Sequence, residues 1–312
     1  MPRRALLVGL NRYDDLPDLE GCVNDARAMQ ELLARQYDGY RNYHCQILTS
    51  PGKHKITRKF LRAKWVELFD SFDGDVLFYF SGHGTPTKVG GYLVTEDGER
   101  GDPGLAMNDL LTLANNSEAR RVVLILDCCF SGHLGNPPNL PQREAQIREG
   151  VTVLAASRAT QSAAEAGGHG VFTRLLLEAL NGGAADIRGR VTAASIYAYV
   201  EQALGPWDQR PVYKSNADRL SPIRRCEPSV PDDVLRKLPQ MFEKPESAFR
   251  VDPSFERNEA SAKPEDAERF AEIKLLRNAR LLTIEAADAE SRAVHLTPLG
   301  QLYWRLALQE NI

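Results

Sequence analysis

The run Arg121-Val-Val-Leu-Ile-Leu-Asp127-Cys128-Cys129 constrains this chain most. Val122 to Leu126 are five consecutive apolar residues, three of them β-branched. Such a run reads as a strand buried on both faces, and those strands belong to parallel sheets covered by helices. It stops abruptly at Asp127, Cys128 and Cys129. In an open α/β sheet the carboxyl ends of the strands face the ligand crevice, so these three residues arrive where chemistry usually happens. A second run, Asp75-Val-Leu-Phe-Tyr-Phe80, leads straight into Ser81-Gly82-His83-Gly84. Two adjacent parallel strands ending this way would set an imidazole and a thiol across one crevice, as a base and its nucleophile.

The rest of the chain supplies the partners such a sheet needs. Further strands are predicted at Arg4–Leu10, Tyr43–Leu48 and Val151–Ala156, with an edge strand over Gln209–Lys214, where Pro211 is tolerable. Helices are predicted after Asp25, from Thr57 to Asp70 with Thr57 as N-cap, near Asn108 to Ala114, from Val171 to Leu180, and from Thr192 to Leu204. The segment 135–150 has three prolines and no strand pattern, and reads as an exposed loop.

The pair of motifs is specific. Ser81-Gly82-His83-Gly84, followed 46 residues after the His by Cys129 within Asp127-Cys128-Cys129-Phe130-Ser131-Gly132, resembles the caspase-fold cysteine peptidases, and among them metacaspases and their bacterial relatives. The resemblance covers roughly residues 3 to 220. It implies an α/β fold, a caspase-like three-layer sandwich with a mostly parallel central sheet. It also implies a cysteine endopeptidase in which His83 is the general base and Cys129 the nucleophile. The oxyanion would be held by the backbone N–H groups of Gly84 and Cys129. A buried free cysteine is more often a small hydrophobe than a catalyst, and Cys128 reads that way. His44, His54, His133, His169 and His295 have no matching motif and read as surface or structural residues.

Two acids bear on specificity. On the residues alone, Asp25 reads equally well as an acid placed at a helix start by the dipole. A carboxylate at Asp127, two residues before the nucleophile, is costly to desolvate unless a cation arrives, either from a substrate or from a basic residue of this chain. The family resemblance carries both as S1-pocket acids, implying cleavage after Arg or Lys. A basic preference makes Arg143 and Arg148 in the 136–150 loop candidates for self-cleavage and points to a zymogen. Asp97, Asp102 and Asp109 lie where family members hold calcium, but Asn136 stands where the calcium-dependent ones carry an acid, so no cofactor is expected and no metal ligands are assigned.

Composition sets bounds on the alternatives. Net charge is −3, so nothing drives the chain globally toward nucleic acid or an anionic membrane. No apolar run is long enough to span a bilayer, and five scattered cysteines make no disulfide framework, so a cytoplasmic, reduced protein is expected. Residues 1–225 are read as the peptidase domain, 226–264 as a Pro-rich linker, and 265–312 as a small winged-helix-like C-terminal module. That module is expected to dock a regulatory protein partner, in a bacterial defence or regulated-death pathway suggested by the resemblance. The contrasting reading is a DNA-binding or scaffold protein with an idle caspase-like domain. Lys274, Arg277 and Arg280 would serve DNA, yet Asp and Glu outnumber Lys and Arg from Pro228 onward.

Overall fold

Each apolar run becomes a strand of one six-stranded sheet. In chain order these are β1 (Arg3–Leu10), β2 (His44–Ser50), β3 (Asp75–Ser81), β4 (Arg121–Asp127), β5 (Val151–Ala155) and β6 (Val212–Asn216). Their spatial order is β6-β5-β4-β3-β1-β2, all parallel except β6, which runs antiparallel at the edge just after Pro211. The computed structural model describes residues 2–87, 90–128, 147–156, 165–166, 168–204, 211–217, 221–255, 264–286 and 291–312.

Alternation along β3 shows why the sheet is sandwiched. Val76, Phe78 and Phe80 join one core with Leu61 and Trp65 of α2 (Arg58–Phe69) and Leu110 of α3 (Met107–Asn116). Leu77 and Tyr79 join the opposite core with Met29 of α1 (Cys22–Ala34), Leu176 of α4 (Val171–Glu178) and Ile196 of α5 (Ala193–Ala203). Both faces of a central strand are therefore dry, as its unbroken apolar sequence requires. Thr57 caps α2 by accepting the Phe60 N–H at 3.2 Å, and Thr192 closes a capping box with Ser195 on α5. At the amino ends of the strands, buried Asp75 is held by Arg3 Nε at 3.1 Å and Arg121 Nε at 3.0 Å, which ties together the feet of β1, β3 and β4. The turn-rich segment after Val94 is more ordered than its composition suggests: Gly84–Thr87, Gly90–Glu99 and Asp102–Ala106 form a three-stranded antiparallel sheet.

The chain divides into two compact units, Met1–Ala185 with Arg190–Cys226, and Asp186–Gly189 with Glu227–Ile312. The second corrects the reading of 226–264 as a linker. Val230, Leu235, Leu238, Phe242 and Phe255 are buried in the same core as Ile273, Leu276, Leu281, Val294 and Trp304. The prolines that suggest a linker instead start short helical turns: Pro231 precedes Asp232–Leu235, Pro239 lies in the first turn of Leu238–Met241, and Pro253 opens Pro253–Phe255. Proline is pre-organised for that position, because its missing N–H has no partner there anyway. Around this core lie the helix Pro264–Asn278, a three-stranded antiparallel sheet of Phe249–Val251, Arg292–Leu296 and Leu282–Ala286, and the helix Pro298–Leu308, capped by Thr297. No helix among the described residues is long and apolar enough to cross a membrane.

Arg148, expected to be an accessible cleavage site, is anchored instead. Its guanidinium donates to the carbonyls of Ala114 at 3.2 Å, Ala119 at 2.5 Å and Glu149 at 2.6 Å, and to Ser117 Oγ at 3.2 Å. A helix leaves its last carbonyls without partners, and Arg148 satisfies one at the end of α3. Arg148→Ala is expected to lower unfolding free energy by about 3 kcal/mol, read from urea denaturation, because charged donors leave buried carbonyls behind.

Candidate active site

The carboxyl ends of β1, β3 and β4 meet at one edge. In register, Ser81 faces Gly9 on one side and Asp127 on the other, and the Gly82 N–H reaches the Asp127 carbonyl at 3.4 Å. His83 follows two residues beyond Ser81. Its backbone is fixed from both sides: its N–H donates to the Tyr13 hydroxyl at 2.8 Å, and its carbonyl accepts the Val94 N–H at 3.0 Å. The Tyr13 and His83 rings pack with centroids 4.7 Å apart. Gly82 permits this, since a Cβ there would stand 2.7 Å from the Tyr13 hydroxyl. The imidazole Nε2 lies 2.8 Å from the Pro17 carbonyl. A carbonyl can only accept, so Nε2 carries the hydrogen, and in the neutral ring Nδ1 holds the lone pair available to a proton donor.

Two carboxylates sit beside Ser81 at the end of β3. Asp25, on the first turn of α1, is 1 % exposed. Its Oδ1 accepts His169 Nδ1–H at 2.7 Å, and its Oδ2 accepts the Ser81 hydroxyl at 2.9 Å and the Gly170 N–H at 3.4 Å. Asp127 Oδ2 accepts both the N–H and the hydroxyl of Thr173, at 3.2 and 2.6 Å, and that hydroxyl lies 2.6 Å from the hydroxyl of Tyr79. Gly170 is the N-cap of α4 and offers no side chain for the helix start, so the two acids take up its N-terminal donors instead. The positive end of a helix stabilises negative charge there. Gly170 must be glycine, because a Cβ would lie 2.7 Å from Asp127 Oδ2 and 3.5 Å from Asp25 Oδ2.

The electrostatic balance at Asp25 is unfavourable to ionisation. Burial first, and then the neighbouring charge of Asp127, push its carboxyl from 3.8 up to about 6, against the opposing pull of its hydrogen bonds from His169, Ser81 and Gly170. The plain helix-start acid considered from sequence is thus a buried group in a pair.

Of the residues singled out from sequence, His83, Asp25 and Asp127 come to one sheet edge and Gly84 opens the strand Gly84–Thr87 beside it. Cys129, Arg143, Asn136 and His133 lie outside the described residues. Cys128 is buried in the apolar core, as expected of a packing residue. The cysteines at 22, 45, 128 and 226 stand as thiols. Of the acids considered for calcium, Asp97 and Asp102 pair with Arg58, and Asp109 with Arg62 at 3.1 Å. Among the described residues no cluster of three or more His, Cys, Asp or Glu could hold a metal ion. Sequence reasoning missed Ser81, Tyr13, Thr173 and above all His169. The only signal for His169 was its place in Gly168-His169-Gly170 immediately before a helix.

A carboxyl whose folded value lies above its unfolded one binds extra protons in the native state, so its contribution to stability is intact below 3.8 and lost as pH rises through about 6. Asp25→Asn is therefore expected to be more stable than wild type by about 3 kcal/mol above pH 7, with the gap closing toward pH 4. Thermal unfolding across that range checks it; a gap independent of pH would mean that ionised Asp25 is not strained.

Residues 2–220 match the family model described as Caspase domain. Metacaspase-6 of Arabidopsis thaliana is 32 % identical over 150 residues, covering 43 % of this chain and 39 % of that protein. Metacaspase-7 of the same plant is 30 % identical over 167 residues, covering 49 % and 39 %. Metacaspase-1 of Schizosaccharomyces pombe is 35 % identical over 92 residues, covering 28 % and 21 %. The chain thus spans about two fifths of the length of the first two of these relatives and less of the third. Among solved structures, caspase-1 from Spodoptera frugiperda superposes with a TM-score of 0.52 at 12 % identity, covering 72 % of this chain and 90 % of that one, a likeness of fold. With the family model spanning well over half of its length, from the first strand past the last strand of the sheet, this chain belongs to the caspase domain family.

Proposed function

We propose that the chain is a cysteine endopeptidase that cleaves protein substrates after Arg or Lys. The observation that carries this reading is the pair of neighbouring carboxylates, buried Asp25 and half-buried Asp127, at the strand end that leads into His83. Ser81 and Asp127 are register partners at the ends of neighbouring strands, and in the sequence His83 and Cys129 each follow two residues later. Membership in the caspase domain family supports the same assignment.

The chemistry follows from the tautomer of His83. Nε2–H is spent on Pro17, so Nδ1 takes the proton of the Cys129 thiol as sulfur attacks the scissile carbonyl. The carbonyl oxygen becomes an oxyanion, for which the N–H groups of Gly84 and Cys129 are the donors. Collapse of the tetrahedral species breaks the C–N bond, and the proton on His83 passes to the departing amine. Water, deprotonated by His83, then hydrolyses the thioester and restores the thiol. A substrate guanidinium meets the carboxylates with paired hydrogen bonds, an ammonium as a point charge. An aspartate before the cleaved bond would add a third negative charge and is rejected.

The C-terminal unit is assigned a winged-helix-like docking role for a regulatory protein. Its final helix leaves Leu299, Leu302 and Leu308 exposed, which supports a protein contact in preference to DNA. The place of the enzyme in a bacterial defence or regulated-death pathway rests on the family resemblance.

Fluorogenic peptides differing only in Arg, Lys or Asp before the cleaved bond, with and without calcium, test the assignment. Cleavage after Arg and Lys only is expected, with Cys129→Ala silent and Asp127→Asn reduced about a hundredfold in kcat/KM, the size expected when a desolvated charge loses its partner. Turnover by Cys129→Ala, or equal cleavage after Asp, would sink the reading. Because Arg148 is tied to the end of α3, self-processing is assigned to Arg143. Intact-mass measurement should then show wild type cut after Arg143 and Arg143→Ala uncut; a cut after residue 148 would reverse that order.

A further inference from the structure

His169 belongs to no expected motif, yet it makes the shortest hydrogen bond to the buried carboxylate of Asp25, 2.7 Å from Nδ1 to Oδ1. Its side chain is 30 % exposed where that of Asp25 is 1 % exposed, so the imidazole covers the acid on the solvent side. The remaining oxygen of Asp25 is occupied by Ser81 and the Gly170 N–H. An incoming basic side chain therefore finds three donors already on Asp25 and the imidazole already at Oδ1. Of its three donors, only the imidazole has solvent to move into: Ser81 is buried in β3, and the Gly170 N–H belongs to buried backbone. Gly168 has φ of +80°, a conformation natural to glycine, and its carbonyl is held to α1 by Asn24 Nδ2 at 3.3 Å.

We propose that His169 is a resident stand-in for the basic side chain of the substrate: it holds Asp25 until a guanidinium or ammonium group displaces it. This rests on the assignment of Asp25 to the pocket for that side chain, and deepens it. The displaced imidazole can swing toward solvent, while the newcomer inherits Oδ1 of Asp25 beside Asp127. Exchange favours arginine, which returns two aligned N–H donors for the one lost and cannot lose its charge, over lysine. An occupied acid weakens apparent affinity by the fraction of time it stands vacant. For a charge-assisted hydrogen bond that factor is about tenfold.

The groups facing Asp25 set its response to pH. They are Asp127 from β4, Tyr79 and Ser81 from β3, and His169 with Gly170 from the short strand before α4. Burial holds the Tyr79 phenol well above its usual range, so it stays neutral. The His169 hydrogen bond lowers the Asp25 carboxyl against burial and Asp127, so removing it raises that carboxyl above about 6.

Agmatine, a guanidinium on a short alkyl chain, is the probe, titrated into the full chain by calorimetry. His169→Ala is expected to bind it about tenfold more tightly than wild type at pH 8, with the loss of binding on acidification starting at higher pH. His169→Gln, which keeps an N–H for Oδ1, should stay close to wild type. In wild type, agmatine saturation should move the His169 ring resonances, a readout that needs no variant. Equal or weaker binding by His169→Ala, or ring resonances unmoved at saturation, overturns the stand-in. If instead Asp25→Asn binds agmatine as wild type does, it is the assignment of Asp25 to the pocket that fails.

Discussion

A buried carboxylate and a half-buried one close together repel one another, and the arrangement at the carboxyl ends of the strands depends on containing that repulsion. Asp25 and Asp127 come from elements with no other reason to converge, the start of α1 and the end of β4. What holds them is a ring of donors: Ser81 from β3, His169, and the N–H groups of Gly170 and Thr173 at the start of α4. A helix N-terminus aimed at a carboxylate from another element caps the helix and shields the charge at once. The repulsion is contained without being cancelled, since Asp25 is still pushed up to about 6.

The opposite edge of the same sheet handles a buried acid differently. Asp75 receives two guanidinium groups, Arg3 and Arg121, from the strands on either side of it. The chain thus has arginines available where an acid serves only to hold strands together. At Asp25 it supplies an imidazole and neutral donors. An ion pair made with a resident arginine would be too well satisfied for a substrate to displace, whereas hydrogen bonds from a hydroxyl, a backbone N–H and an imidazole leave a carboxylate that gains by meeting a cation. Under the proposed function this acid has to be left electrostatically incomplete, and the cost appears as lost stability.

The sheet was legible because its strands are continuous apolar runs, and a run that ends in Ser-Gly-His or Asp-Cys-Cys announces which end is the crevice. Pairing strands by their apolar cores also brings Ser81 level with Asp127. His169 was not legible, since its meaning comes only from standing next to a residue 144 positions earlier. Ser81 sat in view within its motif, but a serine at a strand end has no period or spacing to mark which neighbour it will bind. The error at 226–264 has a different source. Proline punctuates linkers and helix starts alike, and without knowing that Val230, Leu235 and Phe242 share a core with Trp304 nothing in the composition separates the two. Arg148 failed as an exposed basic residue because its partners are backbone carbonyls, which every sequence has everywhere.

The same reasoning explains why so much structure surrounds one imidazole. A histidine that accepts a proton from a thiol must present a defined nitrogen, and the ring's two nitrogens are told apart only by what the other one binds. Pro17 supplies that distinction through a carbonyl 2.8 Å from Nε2, and it can do so only if the segment after β1 is held against the segment after β3. Tyr13 does the holding: its ring packs on His83, its hydroxyl accepts the His83 N–H and donates to the Leu10 carbonyl at 3.2 Å, and Gly82 clears the space for it. Burial pushes that phenol well above its usual range, which favours the protonated form that donates to Leu10. The tautomer of the proposed base is thereby fixed by the segments that follow two adjacent parallel strands, β1 and β3.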